Sequence, residues 1–301
     1  LLFQTAALGG GITGKNGPAV AVSLPPIDSL VQGVMDGVGV PTLLMASGGS
    51  PHAQSLRPSQ VRAIANADLV FWVGPAMETF LDRPMATLPP ARIVTLMDSP
   101  EIHLLPSRTS NAHGVKAVAP EFDHDHDHGA YDPHIWLSPE NARAVVAVAA
   151  RRLSAIDPKH SAIYHKNAAA LDLRLNALQQ DIQAAVRPLR GRAFVVQHDA
   201  YHYFEAAFGL QSTAYISTLP ERRPSARHIA DVIALIKEKK AACLFSEPQF
   251  DPAQARAIAQ ETGVRLAQLD PIGATIKPGK SFYFELMERL KHDFVSCLGR
   301  R

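Results

Sequence analysis

Three histidines far apart in the chain stand at the edges of apolar, strand-like runs, each beside turn-forming residues. They are His52 in Gly49-Ser50-Pro51-His52-Ala53-Gln54, His134 in Tyr131-Asp132-Pro133-His134-Ile135-Trp136-Leu137-Ser138-Pro139, and His198 in Phe194-Val195-Val196-Gln197-His198-Asp199-Ala200-Tyr201. Loops in such places deliver side chains to a shared cleft. Imidazole is a borderline ligand that suits zinc, copper, nickel and iron, and a tetrahedral zinc site takes nitrogen donors at about 2.0–2.1 Å. Three histidines and one carboxylate would fill such a site. Between the first two histidines lies Asp123-His124-Asp125-His126-Asp127-His128, a second concentration of metal-binding groups. Taken together these contexts point to Zn(II).

The elements that must position these residues follow a regular rhythm. From Ala19 onward short apolar strands alternate with amphipathic helices, the pattern of βαβ units and a mostly parallel sheet. Strands are expected over 19–24, 41–46, 69–73 and 92–96, with helices over 26–37, 59–66 and 77–81 between them. From Ser107 to Tyr131 periodicity gives way to Asp, His, Gly and Ala, the composition of a loop that buries too little apolar surface to offset its ordering entropy. Ser138 then caps a helix with Pro139 at its first position, ending near Asp157-Pro158. The stretch 161–187 has no Gly or Pro and reads as one helix stopped by Pro188. At about 1.5 Å per residue it is roughly 40 Å long, a length suited to connecting two lobes. Beyond it the rhythm repeats, with strands over 193–197, 211–216, 242–245 and 264–269 and helices over 201–208, 224–239, 251–262 and 281–298.

The fold class expected is therefore α/β, with two lobes, each a mostly parallel four-stranded sheet flanked by helices, joined by one long rigid helix. The boundaries are 19–158 for the N-terminal lobe, with a His-rich loop at 107–131, then 159–190 for the connecting helix and 191–301 for the C-terminal lobe. In open α/β sheets ligands bind beyond the carboxyl ends of the strands, so histidines from both lobes would meet in one crevice. The same logic makes Asp270, in Leu269-Asp270-Pro271-Ile272-Gly273, a candidate fourth ligand, although an Asp before Pro at a strand end is also a common turn-former.

Composition excludes other classes. The chain has 301 residues, 47% hydrophobic and 19% charged, with a formal net charge of +2, which argues for a soluble two-domain protein and against the clustered basic footprint of nucleic-acid binding. No run reaches the roughly 18 apolar residues of a membrane span. Residues 1–10 lack a basic n-region and read either as the tail of a secretory signal peptide that is mostly absent or as residues foreign to the protein, and no cysteine near this end offers a lipid attachment point. The two cysteines, Cys243 and Cys297, lack CxxC spacing and so exclude a zinc ribbon or thioredoxin-type site; by count alone they either pair or stay free, and a bridge would imply an oxidising compartment.

The motifs around the three histidines also resemble a known family. His52 with Ser55-Leu56-Arg57-Pro58-Ser59, Ala67-Asp68-Leu69-Val70-Phe71-Trp72-Val73-Gly74, Asp132-Pro133-His134-Ile135-Trp136-Leu137-Ser138-Pro139, His198-Asp199-Ala200-Tyr201, Ser246-Glu247-Pro248-Gln249-Phe250 and Leu269-Asp270-Pro271 are similar to the ZnuA-like, cluster A-I solute-binding proteins of bacterial ABC importers. The resemblance spans about residues 20–300. It implies high-affinity Zn(II) capture in the periplasm by His52, His134 and His198, with Asp270 or a water as fourth ligand, and delivery to the membrane permease of an ABC transporter for zinc import. It also implies a non-enzymatic, monomeric protein, a periplasmic zinc metallochaperone as a further partner, and a Cys243–Cys297 disulfide. Manganese-type relatives carry Glu where this chain has His198, which favours zinc. Where several zinc members have an acidic residue before the first histidine, this chain has Pro51, which cannot ligate. His124, His126 and His128 resemble the family's acidic, His-rich loop and are auxiliary metal contacts on that reading; the alternative is a solvated loop titrating near neutral pH. Of competing functions, a zinc-dependent hydrolase using the same three histidines lacks an HExxH helix and a nucleophile elbow, with Glu247 as the one acid placed to act as a base. A surface adhesin would need a lipid or cell-wall signal.

Overall fold

The computed structural model describes residues 17–45, 49–51, 54–108, 130–217 and 224–300. The N-terminal sheet contains β1 (Val20–Val22), β2 (Thr42–Leu43), β3 (Leu69–Trp72) and β4 (Ile93–Thr95), in the order β2-β1-β3-β4 with every pair parallel. The C-terminal sheet contains β5 (Phe194–His198), β6 (Ala214–Ser217), β7 (Cys243–Ser246) and β8 (Arg265–Gln268), in the order β6-β5-β7-β8, again all parallel. The two lobes thus share one topology. In each, the first strand sits between the second and third, so the chain reverses direction across the sheet beside it.

Helices α1 (Pro25–Val34), α2 (Pro58–Asn66) and α3 (Asp82–Ala86) belong to the first lobe, α4 (Pro139–Ile156) follows residue 138, and α5 (Ser161–Val186) is the long connector. The second lobe adds α6 (His202–Phe208), α7 (Ala226–Lys239), α8 (Ala253–Thr262) and α9 (Phe282–Leu298). Ser138 caps α4 as expected, its hydroxyl accepting from Asn141 N–H, with Pro139 in the first turn. The strand expected over 41–46 shortens to Thr42–Leu43 and that over 211–216 starts at Ala214, and one element differs in kind: the helix read over 77–81 is a single 3-10 turn, Thr79–Leu81, that runs on into α3. Pro84 argues against a helix there, yet it lies in the first turn, where a missing N–H costs nothing.

Period-two alternation divides each sheet between two apolar layers. Val20, Val22, Leu69 and Phe71 face inward to a core shared by both lobes, while Ala21, Val70 and Trp72 face α2 and α3. In the second lobe Phe194, Val196, Cys243 and Phe245 face the shared core, and Val195, Ala214, Ile216 and Leu244 face α7 and α8. The shared core runs continuously through α1, α4, α5 and α9. The lobes are therefore fastened to each other along their inner faces. A disulfide joins Cys243, at the start of β7, to Cys297, in the last turn of α9, with the Cα atoms 6.2 Å apart.

Candidate metal centre

His198 is the last residue of β5 and is 4% exposed. Its position at the carboxyl end of the strand beside which the chain reverses is where α/β sheets present ligands. Its Nδ1 lies 3.6 Å from Glu247 Oε2, just beyond the end of neighbouring β7. Glu247 is itself buried, and its Oε1 accepts from the Tyr201 hydroxyl at 3.2 Å. Burial depresses the pKa of the His198 imidazole, but Glu247, with Asp199 and Asp132 behind it, overrides burial and raises it above 6.5.

His134 comes from the other side. It precedes the 3-10 turn Ile135–Leu137 that leads into α4, and its Nδ1 is 2.7 Å from Asp132 Oδ1, which also accepts the His134 backbone N–H at 2.9 Å. Burial works to raise the Asp132 pKa, but His134 outweighs it and holds the carboxyl below its ordinary value. Trp136 fastens this loop to the second lobe: its indole N–H donates to Pro271 O at 2.8 Å, and its carbonyl accepts from the Tyr283 hydroxyl at 2.9 Å.

The two imidazoles meet. Their ring centres are 5.0 Å apart in an edge-on arrangement. Two imidazoles bound to one tetrahedral zinc, with metal–nitrogen distances of about 2.0–2.1 Å, have ring centres roughly 5 Å apart. The pocket they share is lined also by Ser50, Pro51, Trp136, Glu247 and Phe250. His52 lies outside the described residues, but its neighbour Pro51 lines this pocket. Among the described residues no group of three His, Cys, Asp or Glu side chains forms a ready metal cage. His124, His126 and His128 also fall outside the described residues.

Asp270 is placed differently. Its Oδ1 accepts from Gln249 Nε2 at 2.7 Å and from the Ile272 and Gly273 N–H groups at 3.2 and 2.9 Å, and its Oδ2 accepts from Ala274 N–H at 2.6 Å. It closes the turn after β8 and lines a separate hollow with Arg289 and Asp293. The acid that lines the histidine pocket is Glu247.

Sequence reasoning did not find Arg108, which joins the first lobe to the second beside this site. Its Nε and Nη2 both donate to Asp199, and its Nη1 donates to Glu205 Oε2 at 2.5 Å. No local pattern signals a pairing across more than ninety residues of chain.

Two parallel α/β sheets bound to one long helix, with His198 at a strand end of one lobe facing His134 from the loop before α4 of the other, define a two-lobed solute-binding protein. A family model described as "Zinc-uptake complex component A periplasmic" matches residues 20–297, and the chain belongs to that family. The high-affinity zinc uptake system protein ZnuA of Brucella suis biovar 1 (strain 1330) is 37% identical over 323 residues, covering 99% of this chain and 96% of that one. Among solved structures, the laminin-binding protein Lmb of Streptococcus agalactiae, described as a bifunctional adhesin and metal transporter, superposes with a TM-score of 0.76 at 25% identity, over 94% of this chain and 100% of that one. A zinc-bound ZnuA deletion mutant superposes with a TM-score of 0.77 at 23% identity, over 95% and 99% of the two chains.

Proposed function

We infer that the protein captures Zn(II) in the periplasm with high affinity and hands it to the membrane permease of an ABC importer. The observation that carries this reading is the facing pair His134 and His198, one from each lobe, each with a buried carboxylate at its Nδ1. A carboxylate behind Nδ1 fixes the ring's orientation and tautomer and makes Nε2 the ligating nitrogen, the usual support for a zinc histidine. His52, whose neighbour Pro51 lines the pocket, supplies the third imidazole. For the fourth position the two candidates are Asp270 and water. The four hydrogen bonds that hold Asp270 in its turn favour water. Family membership supports zinc as the cargo, since the family model describes a periplasmic zinc-uptake component.

The protein works as a monomeric carrier, not an enzyme, and receives zinc from solution or from a periplasmic zinc metallochaperone. A hydrolase needs an acid free to activate water, and the pocket's acid, Glu247, is already engaged by His198 and Tyr201. The Cys243–Cys297 bridge suits the oxidising periplasm. His124, His126 and His128 serve as weak, reversible zinc contacts that raise the local concentration near the cleft. The lobes divide at 19–158, 159–190 and 191–301. Competition titration against a chromophoric zinc chelator tests the reading: one tight zinc per chain is expected, lost when either His134 or His198 is replaced by Ala.

A further inference from the structure

Residues 105–108 and 130–132 pair as a short antiparallel stem. Pro106 and Tyr131 form an isolated bridge, Ser107 N–H donates to Ala130 O at 3.0 Å, and Asp132 N–H donates to Leu105 O at 2.9 Å. Both arms of this stem are fastened to α6 of the second lobe. The Tyr203 hydroxyl accepts from Leu105 N–H at 3.0 Å and donates to Asp132 O at 2.9 Å, so one side chain holds the two arms together. Arg108, at the end of the outgoing arm, forks onto Asp199 and Glu205.

Both attachments end beside a proposed zinc ligand. Asp199 follows His198 directly, and Asp132 holds the Nδ1 and the backbone N–H of His134. The Arg108 and Asp199 side chains are each 10% exposed and that of Glu205 3%. Two carboxylates so far from water require a cation, and a planar guanidinium spans both where a single ammonium would not.

On the reading that His134 and His198 bind zinc, we propose that Arg108 is a positioning residue: by clamping the stem to Asp199 and Glu205 it sets His198 of the second lobe at ligating distance from His134 of the first. Zinc held between the two imidazoles is then retained only while this clamp keeps them in register. A residue that merely stabilised the fold would change the melting temperature without changing how fast a folded protein releases zinc.

The test measures zinc release by stopped-flow transfer to excess chelator from the full chain. Arg108→Met is expected to release zinc about 10- to 100-fold faster, as for other groups that orient a ligand, and Arg108→Lys to fall between it and wild type. Arg143→Met, which removes a surface pair between α4 and α5 with Asp172, is expected to release at the wild-type rate. Because Arg108→Met leaves two buried carboxylates without a cation and so threatens folding, the variant Arg108→Met/Asp199→Asn/Glu205→Gln is measured beside it. Fast release from that neutral variant supports the clamp. Wild-type release from either folded variant overturns it. His134→Ala in the same series separates the two claims. Loss of tight binding there, with Arg108→Met at the wild-type rate, refutes the positioning role alone. Tight binding retained in His134→Ala refutes the ligand assignment, and the positioning role falls with it.

Discussion

Glu247 faces the Nδ1 atom of His198 across 3.6 Å inside the protein, and the Tyr201 hydroxyl holds its other oxygen in place. The imidazole that meets His134 is thus oriented by a carboxylate from the adjacent strand end. Glu247→Gln should weaken zinc binding about 10- to 100-fold at neutral pH, in line with other groups that support a zinc histidine. The pH dependence follows from the same contact. A proton competes with zinc for the imidazole, and the His198 pKa is raised above 6.5 by Glu247 against the opposing effect of burial. Affinity should therefore be full above that raised value and begin to fall at a higher pH than an ordinary histidine would give. In Glu247→Gln the fall should move to lower pH. Chelator competition across a pH series reads both effects, and an unshifted profile in Glu247→Gln would show that the contact does not govern His198.

Asp270 accepts three backbone N–H groups and the Gln249 amide. Asp270→Ala leaves these donors unpaired, so it should cost about 1–3 kcal/mol of stability and leave zinc stoichiometry at one with affinity close to wild type. Urea unfolding of the metal-free protein, beside a zinc titration, checks both halves. A large loss of affinity in a protein of normal stability would restore Asp270 as a ligand.

Much of this was legible in the sequence, and the exceptions have a common cause. The eight strands and the connector 161–186 follow from local periodicity and from Pro and Gly punctuation, and Ser138 with Pro139 announces α4 outright. His134 and His198 stand out because each adjoins a strand end or turn. Asp270 was ambiguous for a physical reason: an acid before Pro at a strand end suits both a turn and a metal. Arg108 carries no signal because its partners lie 91 and 97 residues away. Such a pairing exists only after both lobes have formed.

Away from the cleft, the fully buried Glu78 accepts from the Ser23 hydroxyl and from the Val73 and Gly74 N–H groups. Burial pushes its pKa up to about 7 despite these bonds. Because the folded value lies above the unfolded one, the stability this group contributes is present below about 4.5 and is lost as pH rises through about 7. The stability of Glu78→Gln relative to wild type should accordingly improve between about pH 5 and 7.5. Paired urea titrations at several pH values measure this difference, and a flat difference would mean that Glu78 is ionised in the folded protein well below neutrality.

Deleting Asp123–His128 removes the auxiliary histidines but none of the three central ones. The tight zinc should remain with unchanged affinity, while weaker additional binding disappears from the titration and uptake at low zinc slows. Loss of the tight site on deletion would move the central ligands into that tract.

The central claim is that imidazoles from the two lobes hold one zinc ion between them. X-ray absorption at the zinc edge tests it most directly when wild type is compared with His134→Ala and His198→Ala, all three lacking Asp123–His128 and loaded with one equivalent at a protein concentration that fills a weakened site. The account predicts a wild-type site of three imidazole nitrogens and one oxygen at about 2.0–2.1 Å, with one imidazole fewer in each variant. An unchanged count of imidazoles in both variants would contradict it.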